Sequence, residues 1–152
     1  KVCRISTLRR SKERYKRSQP AQPAKIRLMF TGIEHFAIAS PNPKALADWY
    51  VGTLQFRQNY EYDGNYFVRA QDGSMIEIIP AQGNVPEFQP RTPGMRHIAI
   101  AVSDFDAAYT ELKNKGVAFT GEPFVNQGNR LVFFKDLDGN LVHLIERAQP
   151  LP

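Results

Sequence analysis

Short segments in which apolar and polar side chains alternate predict β-strands, and longer segments with helical spacing lie between them. Residues 33–39 and 95–102 alternate most clearly, and a helical pattern follows each of them. The apolar spacing predicts helices over about residues 43–53 and 104–115. The chain after residue 30 therefore begins twice with the same order of elements, a strand followed by a helix.

Residues with strong positional preferences mark the ends of both helices. Asn42 suits an N-cap, and Pro43 follows at the first helical position, where proline is favoured. Ser103 is the expected N-cap of the second helix, and Gly116 is its expected C′ residue. Three strand-like runs follow each helix, with an Asp-Gly turn before the last run. Each half thus predicts a βαβββ module.

The two halves are also related in sequence. Residues 32–40 reappear as residues 94–102, and residues 72–79 reappear as residues 138–145 in the same order. The first pair is shifted by 62 positions and the second by 66, so one loop of the second half is longer. Two matches at nearly the same shift indicate an internal duplication.

These patterns predict an α+β fold for a chain of 152 residues. We expect two tandem βαβββ modules that form a curved eight-stranded mixed sheet, with the helices outside and a metal-lined concave face. The domain is expected at residues 30–148, with the first module at about 30–82 and the second at about 92–148. Residues 1–29 are expected to be a disordered basic tail and linker.

Strand parity places a histidine on the concave face of each module. His35 shares its face with Ala37 and Ala39, and His97 shares its face with two alanines in the same way. Small side chains beside a polar group leave the open volume that is typical of a pocket wall. The bulkier residues between them are expected to pack under the helices.

The last strand of each module contributes a second polar residue to that face. Glu77 alternates with Ile76 and Ile78, and His143 occupies the equivalent position in the second module. The same parity places Glu146 on the opposite face from His143, so we expect it to point away from the pocket.

Four polar side chains on otherwise apolar strands predict one metal site. The predicted ligands are His35, Glu77, His97 and His143. A single strand histidine is more often a hydrogen-bonded core or rim residue, and a single glutamate is more often in a salt bridge. Recurrence at equivalent positions of the repeat is what favours ligation. Imidazole and carboxylate donors suit one divalent zinc, nickel, manganese, cobalt or iron ion.

The formal net charge of +5 originates in the N-terminal residues. Residues 1–29 contain ten Lys or Arg and one acidic residue, which leaves ten basic and fourteen acidic residues in the rest of the chain. Such a segment is compatible with a nucleic-acid or anionic-membrane arm, an organelle-targeting peptide, or an unstructured extension. We favour the extension and expect neither nucleic acid nor membrane as a partner.

Several kinds of protein are excluded or disfavoured by simple counts. Cys3 is the single cysteine, so the chain has no internal disulfide and no cysteine-based zinc site. No apolar run reaches the roughly 20 residues of a membrane-spanning helix, and the basic segment lacks the apolar core of a secretory signal. We expect a cytoplasmic protein.

The paired βαβββ modules, a first-strand histidine in each, and a closing turn of sequence Asp-Leu-Asp-Gly-Asn resemble the vicinal oxygen chelate superfamily, also described as the glyoxalase/bleomycin resistance protein/dioxygenase family. The resemblance covers about residues 30–147. It implies that His35, Glu77 and His97 match metal ligands of that superfamily and that the protein binds a small molecule. The superfamily pairs its modules either within one chain or across a dimer, and exposed strand edges favour a homodimer here.

His143 departs from the superfamily pattern, which normally has glutamate at that position. The resemblance implies three functions. The favoured one is a glyoxalase-like metal-dependent lyase, isomerase or epimerase that acts on a small oxygenated substrate by metal-stabilised enolate-type chemistry, with Glu77 as proton acceptor and His143 as the alternative base. The others are an extradiol-type iron dioxygenase and a non-catalytic, bleomycin-resistance-like binding protein.

Four further residues are candidates for substrate binding, because they lie, together with Phe67, on strands that border the predicted site. An arginine there suits a carboxylate or phosphate of the substrate. Ordinary strand packing and surface charge are the alternative, because these strands alternate weakly. The candidates are Tyr66, Arg69, Arg130 and Phe133.

Truncation tests the expectation for the tail. A chain that begins at Met29 is expected to fold with an unchanged melting temperature and an unchanged metal content, because residues 1–28 lack the apolar periodicity needed to dock on a domain. Differential scanning calorimetry of the full and shortened chains measures this. A clear fall in melting temperature on truncation would contradict it.

Overall fold

The computed structural model describes residues 32–83 and 93–151. The expected tail at residues 1–29 and the expected starts of the two modules, at about residues 30 and 92, lie outside these ranges. The first described range begins with a strand, a helix and three more strands. These are β1 (His35–Ser40), α1 (Pro43–Leu54), β2 (Arg57–Tyr62), β3 (Asn65–Arg69) and β4 (Met75–Pro80).

The second described range has the same order of elements. They are β5 (Ile98–Ala101), α2 (Phe105–Asn114), β6 (Phe124–Asn126), β7 (Asn129–Lys135) and β8 (Leu141–Glu146). The prediction of two βαβββ modules in an α+β fold is confirmed. No helix in these two ranges is both long and apolar enough to span a membrane.

Each module forms its own four-stranded mixed sheet. The strand orders are β1-β4-β3-β2 and β5-β8-β7-β6, and only the first and last strands of each module pair in parallel. Ala37 pairs with Glu77 in the first sheet, and Ala99 pairs with His143 in the second. The eight described strands are thus divided between two sheets instead of forming one continuous sheet, because no ladder joins the modules. The equivalent register confirms the internal repeat.

The helices begin where small polar side chains can bind their free backbone N–H groups. Asn42 Oδ1 accepts a hydrogen bond from Ala45 N at 3.2 Å, as predicted. The N-cap of α2 is Asp104, one residue after the predicted Ser103, because its carboxylate accepts from Ala107 N at 3.0 Å. A carboxylate at this end also interacts favourably with the helix dipole.

The core has two clusters, and several residues contact both of them. Ile76 and Ile78 are buried in the first cluster with α1, and Val142 and Leu144 are buried in the second with α2. The residues that pack against both clusters are Trp49, Leu54, Ile98 and Ile100. The modules therefore pack through the faces that carry the bulky residues, opposite the faces that carry alanine and histidine.

Asp136 is a buried carboxylate that organises the turn before β8. Its oxygens accept from the backbone N–H groups of Asp138 and Asn140 and from the Asn140 side chain, at 2.9–3.1 Å. The Tyr50 hydroxyl of α1 donates to the same carboxylate at 3.0 Å and so joins the two modules. Burial raises the pKa of Asp136. The carboxylate is retained there because every oxygen has a donor.

Substituting Asp136 is expected to be costly for stability. Asp136→Ala removes the acceptor for a buried hydroxyl and for the turn, so we expect a loss of about 3 kcal/mol in the free energy of unfolding, against about 1 kcal/mol for Tyr50→Phe. Urea denaturation of both variants measures the difference. Equal losses would mean that the turn does not depend on this carboxylate.

Candidate functional site

The first module holds a histidine and a glutamate in contact on its open face. His35 Nε2 lies 3.2 Å from Glu77 Oε2, and the other ring nitrogen, Nδ1, contacts Glu34. The Tyr62 hydroxyl donates to Glu77 Oε1 at 3.1 Å. Parallel pairing of β1 with β4 brings the two strands side by side, and parity directs both side chains to one face.

Without a metal ion, the electrostatics of this pair favour a protonated histidine, and metal binding at His35 would release that proton. The contact with Glu34 raises the pKa of His35, and the charge of Glu77 adds to that rise. The hydrogen bond to Glu77 raises the pKa of the Tyr62 hydroxyl, which therefore remains a donor at neutral pH. The Glu77 carboxylate has a partner on each oxygen, one neutral hydroxyl and one imidazole.

The second module holds two histidines in contact at the equivalent place. The ring centroids of His97 and His143 are 4.9 Å apart, with the ring planes at 82°. His143 stacks on Phe133 at 4.8 Å, and Phe124 stacks on the far side of Phe133 at 6.2 Å. His143 is only 5% exposed, and its Nδ1 is buried without a hydrogen-bond partner.

The environment of His143 favours its neutral form. Burial lowers the pKa of His143, and the neighbouring His97 lowers it further. A neutral imidazole is the form that binds a metal ion. The two modules thus contain histidines with opposite preferences: the surroundings of His35 in the first module favour its protonated form, and those of His143 in the second favour its neutral form.

The structure brings the four predicted ligands together in pairs, on two different sheets. Within residues 32–83 and 93–151 of a single chain, no three His, Cys, Asp or Glu side chains lie close enough to hold one metal ion. The donor chemistry fits a divalent transition metal, because imidazole nitrogens and a carboxylate are available and the buried Nδ1 of His143 lacks a partner. Each module alone supplies two donors, fewer than the three or four that such ions bind in proteins.

The substrate-binding candidates divide between the two faces. Phe133 pairs with His143, and Arg69 pairs with Met75, so both lie on the faces that carry the histidine pairs. Tyr66 pairs with Ile78 and packs against the first core, on the helix side of its sheet. The prediction that Tyr66 borders the site is therefore wrong, because its side chain lies on the opposite face of the sheet. Neighbouring residues on a strand point to opposite faces, so a difference of one position reverses the orientation.

Arg130 also lies on the helix side, which corrects the expectation that it borders the site. Its guanidinium binds both carboxylate oxygens of Asp106 in α2 and lies over the Phe105 ring at 4.5 Å. Glu146 lies beside it and accepts from Phe105 N at 3.2 Å. Glu146 therefore points away from His143, as predicted.

Two tyrosines that the sequence did not point to, Tyr60 and Tyr62, lie on the open face of the first module. Tyr60 and Tyr62 of β2 pack with Phe67 at 5.9 and 6.3 Å between ring centroids, and Phe67 contacts His35 edge-on at 5.4 Å. A bulge between Gln58 and Tyr60 places these tyrosines on the Glu77 face. The spacing of two residues between Tyr60 and Tyr62 indicates that they share a face. The sequence did not show which face, because a bulge reverses the alternation and is not visible in the pattern.

The opposite environments of two histidines give a titration prediction. In metal-free protein, His35 should lose its proton above the ordinary imidazole pKa of 6.5, and His143 should lose its proton below it. Between these two values His35 is charged and His143 is neutral. Histidine side-chain NMR across pH 5–8, assigned with His35→Gln and His143→Gln, measures the order. Titration of His143 first from the alkaline side would contradict it.

The family comparison matches most of the domain. Residues 32–144 match the model of the Glyoxalase/Bleomycin resistance protein/Dioxygenase superfamily. The uncharacterized protein YwkD of Bacillus subtilis (strain 168) is 30% identical over 130 residues, which cover 79% of this chain and 100% of that protein. The uncharacterized protein YurT of the same strain is 30% identical over 80 residues, and the match covers 51% of this chain and only 63% of YurT.

Solved structures with different printed functions share the fold. Oxidase ChaP-H2 has a TM-score of 0.64 at 23% identity and covers 78% of this chain and 95% of its own. TnmS3, an antibiotic binding protein from Streptomyces sp. CB03234, has a TM-score of 0.64 at 21% identity, and the match covers 80% of this chain and 100% of TnmS3. Lactoylglutathione lyase from Agrobacterium tumefaciens has a TM-score of 0.60 at 17% identity, and the match covers 78% of this chain and 96% of the lyase. Together with the match over residues 32–144, these findings establish that the chain belongs to the Glyoxalase/Bleomycin resistance protein/Dioxygenase superfamily.

Proposed function

We propose that the protein is a metal-dependent enzyme of the lyase, isomerase or epimerase class that acts on a small oxygenated substrate. The observation that carries this proposal is the equivalent placement of two polar pairs, His35 with Glu77 and His97 with His143. The backbone register makes the placement equivalent, since Ala37 pairs with Glu77 as Ala99 pairs with His143. Four potential donors at repeated positions are more than packing requires.

We further propose that a second copy of the chain completes the site. The modules of one chain pack through their bulky faces, so the two donor pairs lie on separate sheets within that chain. In a symmetric dimer, the first module of one copy can face the second module of its partner. Each of the two resulting sites then combines the His35–Glu77 pair of one copy with the His97–His143 pair of the other. The exposed alanines of β1 and β5 leave the volume for such an arrangement.

The residues then divide the chemistry between them. A divalent metal ion held by His35, Glu77, His97 and His143 would act as a Lewis acid toward the oxygens of the substrate. Glu77 is the proton acceptor, and the Tyr62 hydroxyl on Oε1 holds its carboxylate in place. His143 is neutral and can accept a proton at a ring nitrogen, which makes it the alternative base. Phe133 and Phe124 keep water from its stacked face.

The aromatic stacking also supports a second candidate, a non-catalytic protein that sequesters a small molecule. Phe124 is 45% exposed and its ring continues the stack of Phe133 and His143, which suits the face of a planar ligand. TnmS3, which has this fold, is described as an antibiotic binding protein. Metal content separates this candidate from the enzyme, and iron as the bound metal would favour the extradiol dioxygenase instead.

Metal analysis of single variants tests the ligand set. The purified protein should contain one divalent metal ion per chain, and His143→Ala should weaken metal affinity by tenfold or more, because one lost donor costs more than about 1.4 kcal/mol. Glu146→Gln is the matched control, because Glu146 lies on the helix side beside Phe105. Full metal occupancy in His143→Ala would remove it from the ligands.

Complementation between variants tests the shared site. Copies carrying His35→Ala and copies carrying His143→Ala should each bind metal poorly, but co-expressed copies should recover it. A mixed dimer contains one site made from the intact first module of one copy and the intact second module of the other. Metal content and activity of the isolated mixed dimer measure this. If each site lies within one chain, the mixed dimer gains nothing.

A further inference from the structure

A hollow at one end of the first sheet lies beside the face that carries Glu77. Its volume is about 650 Å3, which is within the usual range of small-molecule sites. The hollow forms where β2 begins and where β3 turns into β4. Its lining residues are Gln55, Arg57, Arg69, Ala70, Gln71, Asp72 and Gly73.

Two arginines give this hollow its chemistry. Arg57 and Arg69 pair directly across β2 and β3, so their side chains share one face of the sheet. Arg69 is held by its own turn, because its Nε donates to Gly73 O at 3.1 Å. The carboxylate of Asp72 accepts from Ser74 N and Oγ at 3.0 and 2.7 Å, so its hydrogen bonds lie within the turn. Two cations and one engaged carboxylate leave the hollow positive.

Strand register connects the hollow to the polar pair of the first module. Arg69 pairs with Met75, and Phe67 pairs with Glu77, so these four side chains lie on one face. Residues two apart on a strand are separated by roughly 6.8 Å, which is close to the length of an aromatic ring with an attached acid group. The bulge before Tyr60 brings that exposed ring onto the same face. An aromatic wall thus runs from the arginines to Glu77.

We propose that this face binds a small aromatic anion, with the ring against Tyr60 and Phe67 and the carboxylate or phosphate between Arg57 and Arg69. Arginine pairs bind either acid group through charge-assisted hydrogen bonds. This assignment of the ligand class rests on the proposed function for the reacting end of the substrate, which it places next to Glu77. Binding of the anion itself depends only on the hollow and the aromatic wall.

Calorimetric titration of the purified full chain with four probes tests the ligand class. Phenyl phosphate and phenylacetate carry the two candidate acids, 2-phenylethanol carries the ring alone, and inorganic phosphate carries the acid alone. At least one aromatic anion should bind more tightly than both single-feature probes. The stronger of the two identifies the acid group. Equal binding of 2-phenylethanol, or of inorganic phosphate, would overturn the proposal, as would no binding of either aromatic anion.

Variants locate the binding and keep it separate from the metal site. The double variant Arg57→Gln/Arg69→Gln should weaken binding of the preferred anion by about tenfold or more, whereas Lys113→Gln, which removes an exposed cation on α2, should not. Tyr60→Ala should weaken the aromatic anion but leave inorganic phosphate unchanged. All variants should keep the wild-type melting temperature and metal content. Unchanged binding of the anion in the double variant would overturn the proposal that the hollow binds anions. Loss of metal in the histidine variants alone would concern the metal site and would not contradict that proposal.

Discussion

Parallel pairing between the first and last strands of each module is the constraint on which the site depends. Side chains on neighbouring parallel strands share a face in fixed register, so a residue on β1 and one on β4 are held as neighbours by the backbone. The same pairing in β5 and β8 repeats the arrangement. Helix packing on the opposite face then leaves no choice about which side chains stay open. On this open side, β1 presents a histidine and two exposed alanines, and β5 presents two exposed alanines next to His97, which directly precedes it.

The duplicated scaffold carries two chemically different halves. His35 lies between two carboxylates and is partly exposed, so its environment favours a charge. His143 is buried against Phe133 and another histidine, so its environment removes a charge. At position 143 the superfamily resemblance implies a glutamate, and the histidine there differs from it in charge as well as in its donor atom. It places a desolvated neutral base where a carboxylate would add negative charge, and it leaves Glu77 as the one anionic donor of the predicted set.

The repeat, the module order and the faces of the four polar residues followed from the sequence, because strong alternation and small residues fix strand parity. The roles of Tyr66 and Arg130 did not follow, because their strands are apolar on both sides and give no parity signal. Arg130 reaches Asp106 only after α2 has docked on its sheet, whereas Glu146 is its partner on the neighbouring strand. The separation into two sheets could not be predicted either, because the alternation within a strand shows which face is buried but not which strands pair with each other.

The bulge in β2 has a consequence for how duplicated modules diverge. Arg57 and Tyr60 are three positions apart, and regular pairing would place them on opposite faces; the extra residue between Gln58 and Tyr60 brings them onto one. The paired residues of β6 and β7 follow in unbroken register, but the bridge between Phe119 and Phe134 lies two residues out of that register, so the second module is also irregular just before β6. The two modules therefore differ in the irregularity that their outer strands carry, while the strands that hold the polar pairs keep the same register. In such a fold, a register shift in an outer strand can change the side chains that contact a ligand, while the central strands that carry the polar pair keep their register.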